Sequence, residues 1–209
     1  MIVRLIHPGN RSYNEDPLKS YFRLRRDTFV GRLSWALETA KDGMERDQFD
    51  TPAATYLTIS NPAGDVIAGA RFLRTDHPNL LADVFPFLCK NAPPRSPRIW
   101  EVTRLVIDNR KDRLAGCDNV SGLLFCGLLE FGLLMGASHL VSVSDTRIER
   151  ILRLAGWTAD RLGEVHSLGK INAVAKIQPL SRQVLATCRT RMKVIDEVLP
   201  PIETILEAA

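Results

Sequence analysis

The chain has 209 residues, of which 45% are hydrophobic, 25% charged and 7% aromatic, the balance expected of one soluble domain over residues 1–209. At this length folding hides roughly 70% of the surface that an unfolded chain exposes, so a core forms without disulfide or metal staples. Twenty-eight Lys and Arg against 24 Asp and Glu leave a formal charge of +4, which favours an acidic partner without requiring nucleic acid, and none is expected.

Cys89, Cys117, Cys126 and Cys188 show no CxxC pairing and no histidine at zinc-finger spacing. That pattern argues against a structural metal and for a reducing compartment, so a cytoplasmic location is expected. Met1 to His7 is too short for the apolar region of a signal peptide. The most apolar stretch, Asn119 to Ser144, is interrupted by Glu130 and by four glycines, so no membrane span is predicted. Its Gly132-x-x-x-Gly136 pair reads as close helix packing in a soluble core.

Ile2 to Ile6 alternates like a strand, and Leu18 to Leu37 places Leu18, Tyr21, Phe22, Arg25 and Phe29 at helical spacing. Residues 38–53 lose periodicity and turn acidic. Thr55 to Ser60 and Val66 to Leu73 then form a hairpin around Asn61-Pro62-Ala63-Gly64-Asp65. A proline-rich connection, Pro78 to Pro97, leads to a strand over Ile99 to Ile107. A helix is expected from Asn119 to Met135, capped by Asp118 or Asn119, and then a strand from His139 to Ser144. The next helix starts near Asp145, buries Ile148, Ile151, Leu152 and Ala155, and ends at Gly156. One or two strands around Val165 to Ile177, a further segment Gln183 to Thr187, and a C-terminal helix from Arg191 broken at Pro200-Pro201 complete the chain. The mixed order predicts an α/β fold, a twisted mixed sheet flanked by helices.

Two constellations carry chemistry. In the first, Arg25-x-x-x-Phe29 and Trp35 precede Glu45-x-Asp47-x-x-Asp50. One reading is a capped helix followed by a solvated acidic loop; the other is a site for a cation such as a sulfonium, which ring faces and carboxylates both stabilise. The second lies on predicted strands: Arg71, and Glu101-x-Thr103-Arg104. Charges within apolar strands need partners, so Arg71, Arg104, Glu45 and Glu101 are expected to share a network, structural or catalytic. A glutamate held near arginines can accept a proton from an attacking amine, directly or through one water, which makes Glu101 the candidate base.

In order and spacing, Arg25, Phe29, Trp35, Glu45, Asp47, Asp50, Arg71, Glu101, Thr103 and Arg104 resemble the acyl-homoserine lactone synthases, the bacterial autoinducer synthases. Phe85 stands at that family's Val-Phe-Pro, and Arg150-Ile151-Leu152-Arg153-Leu154-Ala155-Gly156-Trp157 resembles its later helix end. The likeness spans roughly residues 20–160, and ten demanding positions in register are far more specific than one short motif.

The resemblance implies a fold similar to the N-acetyltransferases. It also implies acyl transfer from an acyl carrier protein or acyl-CoA thioester to the amine of S-adenosylmethionine, followed by lactone closure with release of methylthioadenosine, without metal or redox cofactor. Family roles carried over put Arg25, Phe29, Trp35, Asp47, Asp50, Thr103 and Arg104 around S-adenosylmethionine, Glu45 and Arg71 bracing them, and Glu101 as base. The acyl chain is expected along Phe85, Leu105, Val106, Val141, Ser142, Val143, Ser144 and Ile148. Ser142 or Ser144 there meets a 3-oxo group, unless period-2 alternation turns both serines outward. Arg147, Arg150 and Arg153 form a helical ridge suited to an acidic carrier, or else a solvated face. An acetyl-CoA-dependent N-acetyltransferase is the alternative enzyme. Its phosphate loop would fall at Arg113-Leu114-Ala115-Gly116-Cys117-Asp118, where Asp118 brings negative charge to the phosphate position. A sensor that binds without turnover is the third possibility.

Overall fold

The computed structural model describes residues 1–35, 37, 40–110 and 116–200. The strands are β1 (Ile2–Ile6), β2 (Ala40–Lys41), β3 (Met44–Glu45), β4 (Thr55–Ser60), β5 (Val66–Arg74), β6 (Ile99–Ile107), β7 (His139–Asp145), β8 (Asp160–Arg161), β9 (His166–Leu168) and β10 (Ile171–Pro179). The helices are α1 (Glu15–Arg26), α2 (Leu80–Asp83), α3 (Val120–Leu134), α4 (Thr146–Leu154) and α5 (Arg182–Met192). The architecture is α/β with a mixed sheet and flanking helices, as the sequence predicts. The chain falls into two compact units, and the long strands β5 and β6 contribute residues to both.

The first unit holds Met1–Arg71, Arg104–Leu124 and, from Glu197, the described end of the chain. Here β1 pairs antiparallel with β4, Ile2 opposite Ser60 and Leu5 opposite Leu57, and the strand order is β1-β4-β5-β6. Strand β4 is buried throughout and β5 as far as Leu73, with Leu57, Ile59, Ile67 and Ala68 at 0% exposure. Helix α1 packs against β3 and β4 through Tyr21 and Phe22, both buried. Gly69 on β5 permits this approach, since a Cβ there would stand 2.7 Å from the Leu57 carbonyl and 2.8 Å from the Tyr21 ring. The helix predicted over Leu18 to Leu37 is shorter than expected: α1 closes at Arg26 and passes into a π-helical turn, Asp27–Arg32, that contains Gly31. In place of a shapeless acidic stretch, the two short strands β2 and β3 pair antiparallel.

The second unit holds Phe72–Thr103 and Phe125–Asp196. Strand β6 pairs parallel with β7, Glu101 opposite Val141, an arrangement that needs a crossover and receives it in α3. Strand β10 pairs antiparallel with β7 from Ala173 opposite Asp145 to Pro179 opposite His139. Phe131 of α3 stacks on Phe72 at 3.9 Å and meets Trp100 edge-on at 5.2 Å. Leu180 fills the space beside Gly132, whereas a Cβ at Gly136, which has φ +64°, would meet open space, so of the glycine pair only Gly132 serves close packing. Among the described residues no helix is long and apolar enough to cross a membrane.

Several boundaries come out as expected: the Asn119 side chain accepts the Gly122 N–H at the start of α3, Asp145 caps α4, and Gly156 follows α4 at φ +81°. Three readings need correction. Ile151 is 43% exposed rather than buried. Gln183 to Thr187 lies inside helix α5, started by the Ser181 hydroxyl accepting the Val184 N–H. That helix then ends at Met192, so no helix starts at Arg191; residues 201–209 of the expected C-terminal helix lie outside the described residues.

Candidate active site

Arg25 sits in the last turn of α1, Glu45 ends β3, Asp47 and Asp50 occupy the loop that follows, Arg71 lies on β5 and Arg104 on β6. In the first unit these six converge. Arg25 donates Nε to Glu45 at 2.6 Å and both Nη atoms to Asp50 at 2.8 Å. Arg71 grips Asp47 with two bonds, 2.5 and 3.0 Å, and reaches Asp50 at 2.9 Å. Arg104 completes the ring, binding Glu45 at 3.1 Å and Asp47 at 2.7 Å.

Three guanidinium groups thus face three carboxylates, and among these six the formal charge cancels. Complete pairing is the condition on which such a cluster can be buried at all. Burial alone would push the Asp50 carboxyl up, but the hydrogen bond and charge of Arg25, joined by Arg71, outweigh it and hold the group well below the usual carboxylate range. Burial likewise opposes the Arg25 charge, and Asp50 overcomes it and raises the guanidinium further. Asp47 and Asp50, assigned to S-adenosylmethionine by the resemblance, are therefore committed to arginines.

Arg104 is the exception within the network. Its side chain is 11% exposed, against 0–4% for the other five. Its backbone has φ +53°, rare for a residue with a Cβ and a sign of stored strain. The Tyr21 hydroxyl donates to the Arg104 carbonyl at 2.7 Å and holds this kink. The guanidinium lies 5.5 Å from the centre of the Phe29 ring. Phe29 in turn stacks on Trp35 at 5.0 Å and 13°, with the Trp35 N–H donating to the Phe29 carbonyl at 2.8 Å. A flat aromatic pair beside a partly exposed cation suits a ligand that carries both a ring or sulfonium and a carboxylate.

Sequence reasoning missed the aromatic frame. The Arg25 guanidinium lies over Phe22 at 5.1 Å and Tyr21 at 5.5 Å. The Tyr56 hydroxyl donates to Asp50 at 3.0 Å, and Arg71 lies 5.7 Å from the Phe49 ring. Tyr21 was detectable four residues before Arg25. Tyr56 and Phe49 carried no such local signal.

Glu101 and Thr103 belong to the second unit and are buried on β6. The Glu101 carboxylate accepts the Leu80 N–H at 2.8 Å and the Leu81 N–H at 2.7 Å. In the same unit Leu81, Leu88, Val141 and Ala175 form an apolar cluster, with Phe85, Cys89, Ile99, Val143, Leu162 and Ile177 packed on it. Of the residues expected around the acyl chain, Phe85, Val141 and Val143 are brought together there. Strand alternation turns Ser142 and Ser144 to the opposite face, in register with Lys176 and Val174, which corrects their place in the acyl wall. Leu105, half-buried, and Val106, buried, are in the first unit on β6, and Ile148 is half-buried on α4; all three lie outside the cluster.

Arg147, Arg150 and Arg153 are all exposed on α4. Arg147 is tied to Asp145 at 2.8 Å, while Arg150 and Arg153 form no salt bridge among the described residues. Residues 113–115 of the phosphate-loop alternative lie outside the described residues.

Residues 10–187 match the sequence model of the autoinducer synthase family. An acyl-homoserine-lactone synthase from Rhizobium radiobacter is 31% identical over 189 residues, 88% of each chain. One from Pseudomonas fluorescens is 37% identical over 165 residues, 77% of this chain and 80% of its own. Among solved structures, the CoA-dependent acyl-homoserine lactone synthase BjaI, with SAM and isopentyl-CoA, aligns with a TM-score of 0.86 at 26% identity, covering 99% of this chain and 98% of that one. TofI, in a ternary complex with an inhibitor and MTA, aligns at 0.75 and 29% identity over 90% and 96%. An acyl-CoA N-acyltransferase from Pseudomonas aeruginosa, at 0.56 and 14% identity, shares the fold alone.

Proposed function

The chain belongs to the autoinducer synthase family and is an acyl-homoserine-lactone synthase, and we propose that Phe29, Trp35 and Arg104 hold its S-adenosylmethionine. The stacked pair takes the adenine or sulfonium end, and Arg104, the exposed member of an otherwise sealed charge network, takes the methionine carboxylate. Glu45, Asp47, Asp50, Arg25 and Arg71 keep that arginine in place, and Thr103 lies beside it in the sequence. The observation that carries this reading is the Phe29–Trp35 stack with Arg104 against it.

The neutral α-amine attacks the thioester carbonyl, the carbon–sulfur bond of the thioester breaks, and the thiol leaves. Glu101 accepts the amine proton and passes it to the departing sulfur, so that the group leaves as a neutral thiol. The carboxylate of the acylated product then attacks its own γ-carbon, the sulfonium bond breaks, and methylthioadenosine departs as a neutral molecule. Nucleophile and leaving group share one molecule, so confinement lowers the entropic cost of closure. The steps call on neither metal nor redox cofactor.

The acyl chain lies against the cluster of Leu81, Phe85, Leu88, Val141 and Val143. BjaI is a CoA-dependent synthase, and an acyl-CoA donor serves this chain equally well chemically. Arg150 and Arg153 favour an acidic carrier protein, the donor expected in the cytoplasm. The test is purified protein given S-adenosylmethionine and a panel of carrier and coenzyme A thioesters. Equal amounts of methylthioadenosine and acyl lactone support the proposal. Free thiol with intact S-adenosylmethionine and no lactone defeats it.

A further inference from the structure

Both Glu101 oxygens are occupied by the first two N–H groups of α2, donors that a helix cannot satisfy internally. Helix α2 has four residues, far too few to hold its own shape in water. Asn79 closes it locally: its Oδ1 accepts the Ala82 N–H at 3.1 Å, and its N–H donates to Asp83 at 3.0 Å. The long-range attachment from β6 is Glu101, 20 residues from Leu81 in sequence. Leu81, 1% exposed, is a core member of the apolar cluster with Leu88, Val141 and Ala175.

We infer that Glu101, besides its part in proton transfer, is a positioning residue that pins α2 by two backbone N–H groups, so that Leu81 closes the acyl-chain wall and donor length is selected. Hydrogen bonds to an ionised group are roughly twice as strong as neutral ones, and their loss leaves buried N–H groups unmet. The inference rests on the reading of the cluster as the acyl pocket.

Leu80→Pro separates anchoring from proton transfer, because it deletes one N–H and leaves the Glu101 carboxylate intact. Asn79 has φ −150° and ψ 159°, the extended backbone that a residue before proline prefers, and proline is tolerated at the first helical position. The measurement is kcat and KM for a ladder of acyl donors with Leu80→Pro, Glu101→Gln, Leu162→Ala and the unaltered protein. Leu80→Pro is expected to shift the ratio of kcat/KM between long and short donors by about fivefold or more, with the S-adenosylmethionine KM within about twofold. Glu101→Gln is expected to give the same shift together with a lower kcat. A folded Leu80→Pro with unaltered donor preference overturns the inference, provided that Leu162→Ala, which changes the cluster itself, does shift it. Should Leu80→Pro fail to fold, a Glu101→Gln effect confined to kcat overturns it instead. No shift with Leu162→Ala removes the acyl-pocket reading and the inference with it.

Discussion

Arg25 and Asp50 face each other through two parallel hydrogen bonds, each 2.8 Å, with side chains 0% and 3% exposed. A planar fork of this kind cannot be reproduced by lysine, which offers a compact point charge. Arg25→Lys is therefore expected to lower the unfolding free energy by about 3–5 kcal/mol, the usual cost of breaking a buried pair, as read from urea unfolding.

The same pair sets an acid limit. The Asp50 carboxyl is depressed in the folded state, so its stabilisation is fully present above the unfolded value of about 4 and drains away as pH falls below it toward the folded value. Unfolding free energy measured between pH 5 and pH 2 is expected to fall steeply for the natural sequence and less steeply for Asp50→Asn. Parallel slopes would exclude Asp50 as the source.

Arg150 and Arg153 lie exposed on α4 without a salt bridge among the described residues, whereas Arg147 is neutralised by Asp145. Reversing Arg150 and Arg153 to glutamate is expected to raise the KM for an acidic carrier thioester, more at low salt than at high salt, and to leave the S-adenosylmethionine KM unaltered. An unaltered carrier KM assigns the ridge to solvent.

Lys176 is fully buried on β10, and its Nζ finds no hydrogen-bond partner among the described residues. Burial pushes the amine down to about 8, partly offset by Glu149. A lysine depressed in the folded state costs stability below that value, and the cost fades as pH rises toward the unfolded 10.4. Lys176→Met is expected to stabilise the protein by about 1–3 kcal/mol at pH 7, with the advantage shrinking by pH 10. A constant difference across that range would show that the lysine charge is not the cause.

Much of the site was legible in the sequence because demanding residue types recur there at fixed spacing. Arg71, Arg104 and Glu45 were readable as partners, since arginines inside apolar strands need carboxylates, whereas Glu101, read as a fourth member, takes the Leu80 and Leu81 N–H groups, and Arg25, Asp47 and Asp50, read as ligand contacts, join the charge network. Their division of labour was not readable: only geometry shows that Asp47 and Asp50 are spent on arginines. The strands β4, β5 and β6 followed from apolar runs bounded by turn residues. The Gln183 to Thr187 segment misled because five residues hold too little of a helical period, while the Ser181 cap that decides the matter lies just outside them. The Ile151 side chain was placed on the wrong face by treating α4 as a simple amphipathic stripe.

The central claim is that the Phe29–Trp35 stack with Arg104 is the S-adenosylmethionine grip, and the equilibrium dissociation constant of S-adenosylmethionine for Trp35→Ala and Trp35→Phe tests it most directly. Loss of the ring should weaken binding by roughly tenfold or more, as removing a desolvated cation–π contact does. Trp35→Phe should stay within about threefold, and both variants should keep the unfolding temperature of the natural chain. Trp35→Ala protein that binds S-adenosylmethionine as tightly as the natural sequence would contradict the account.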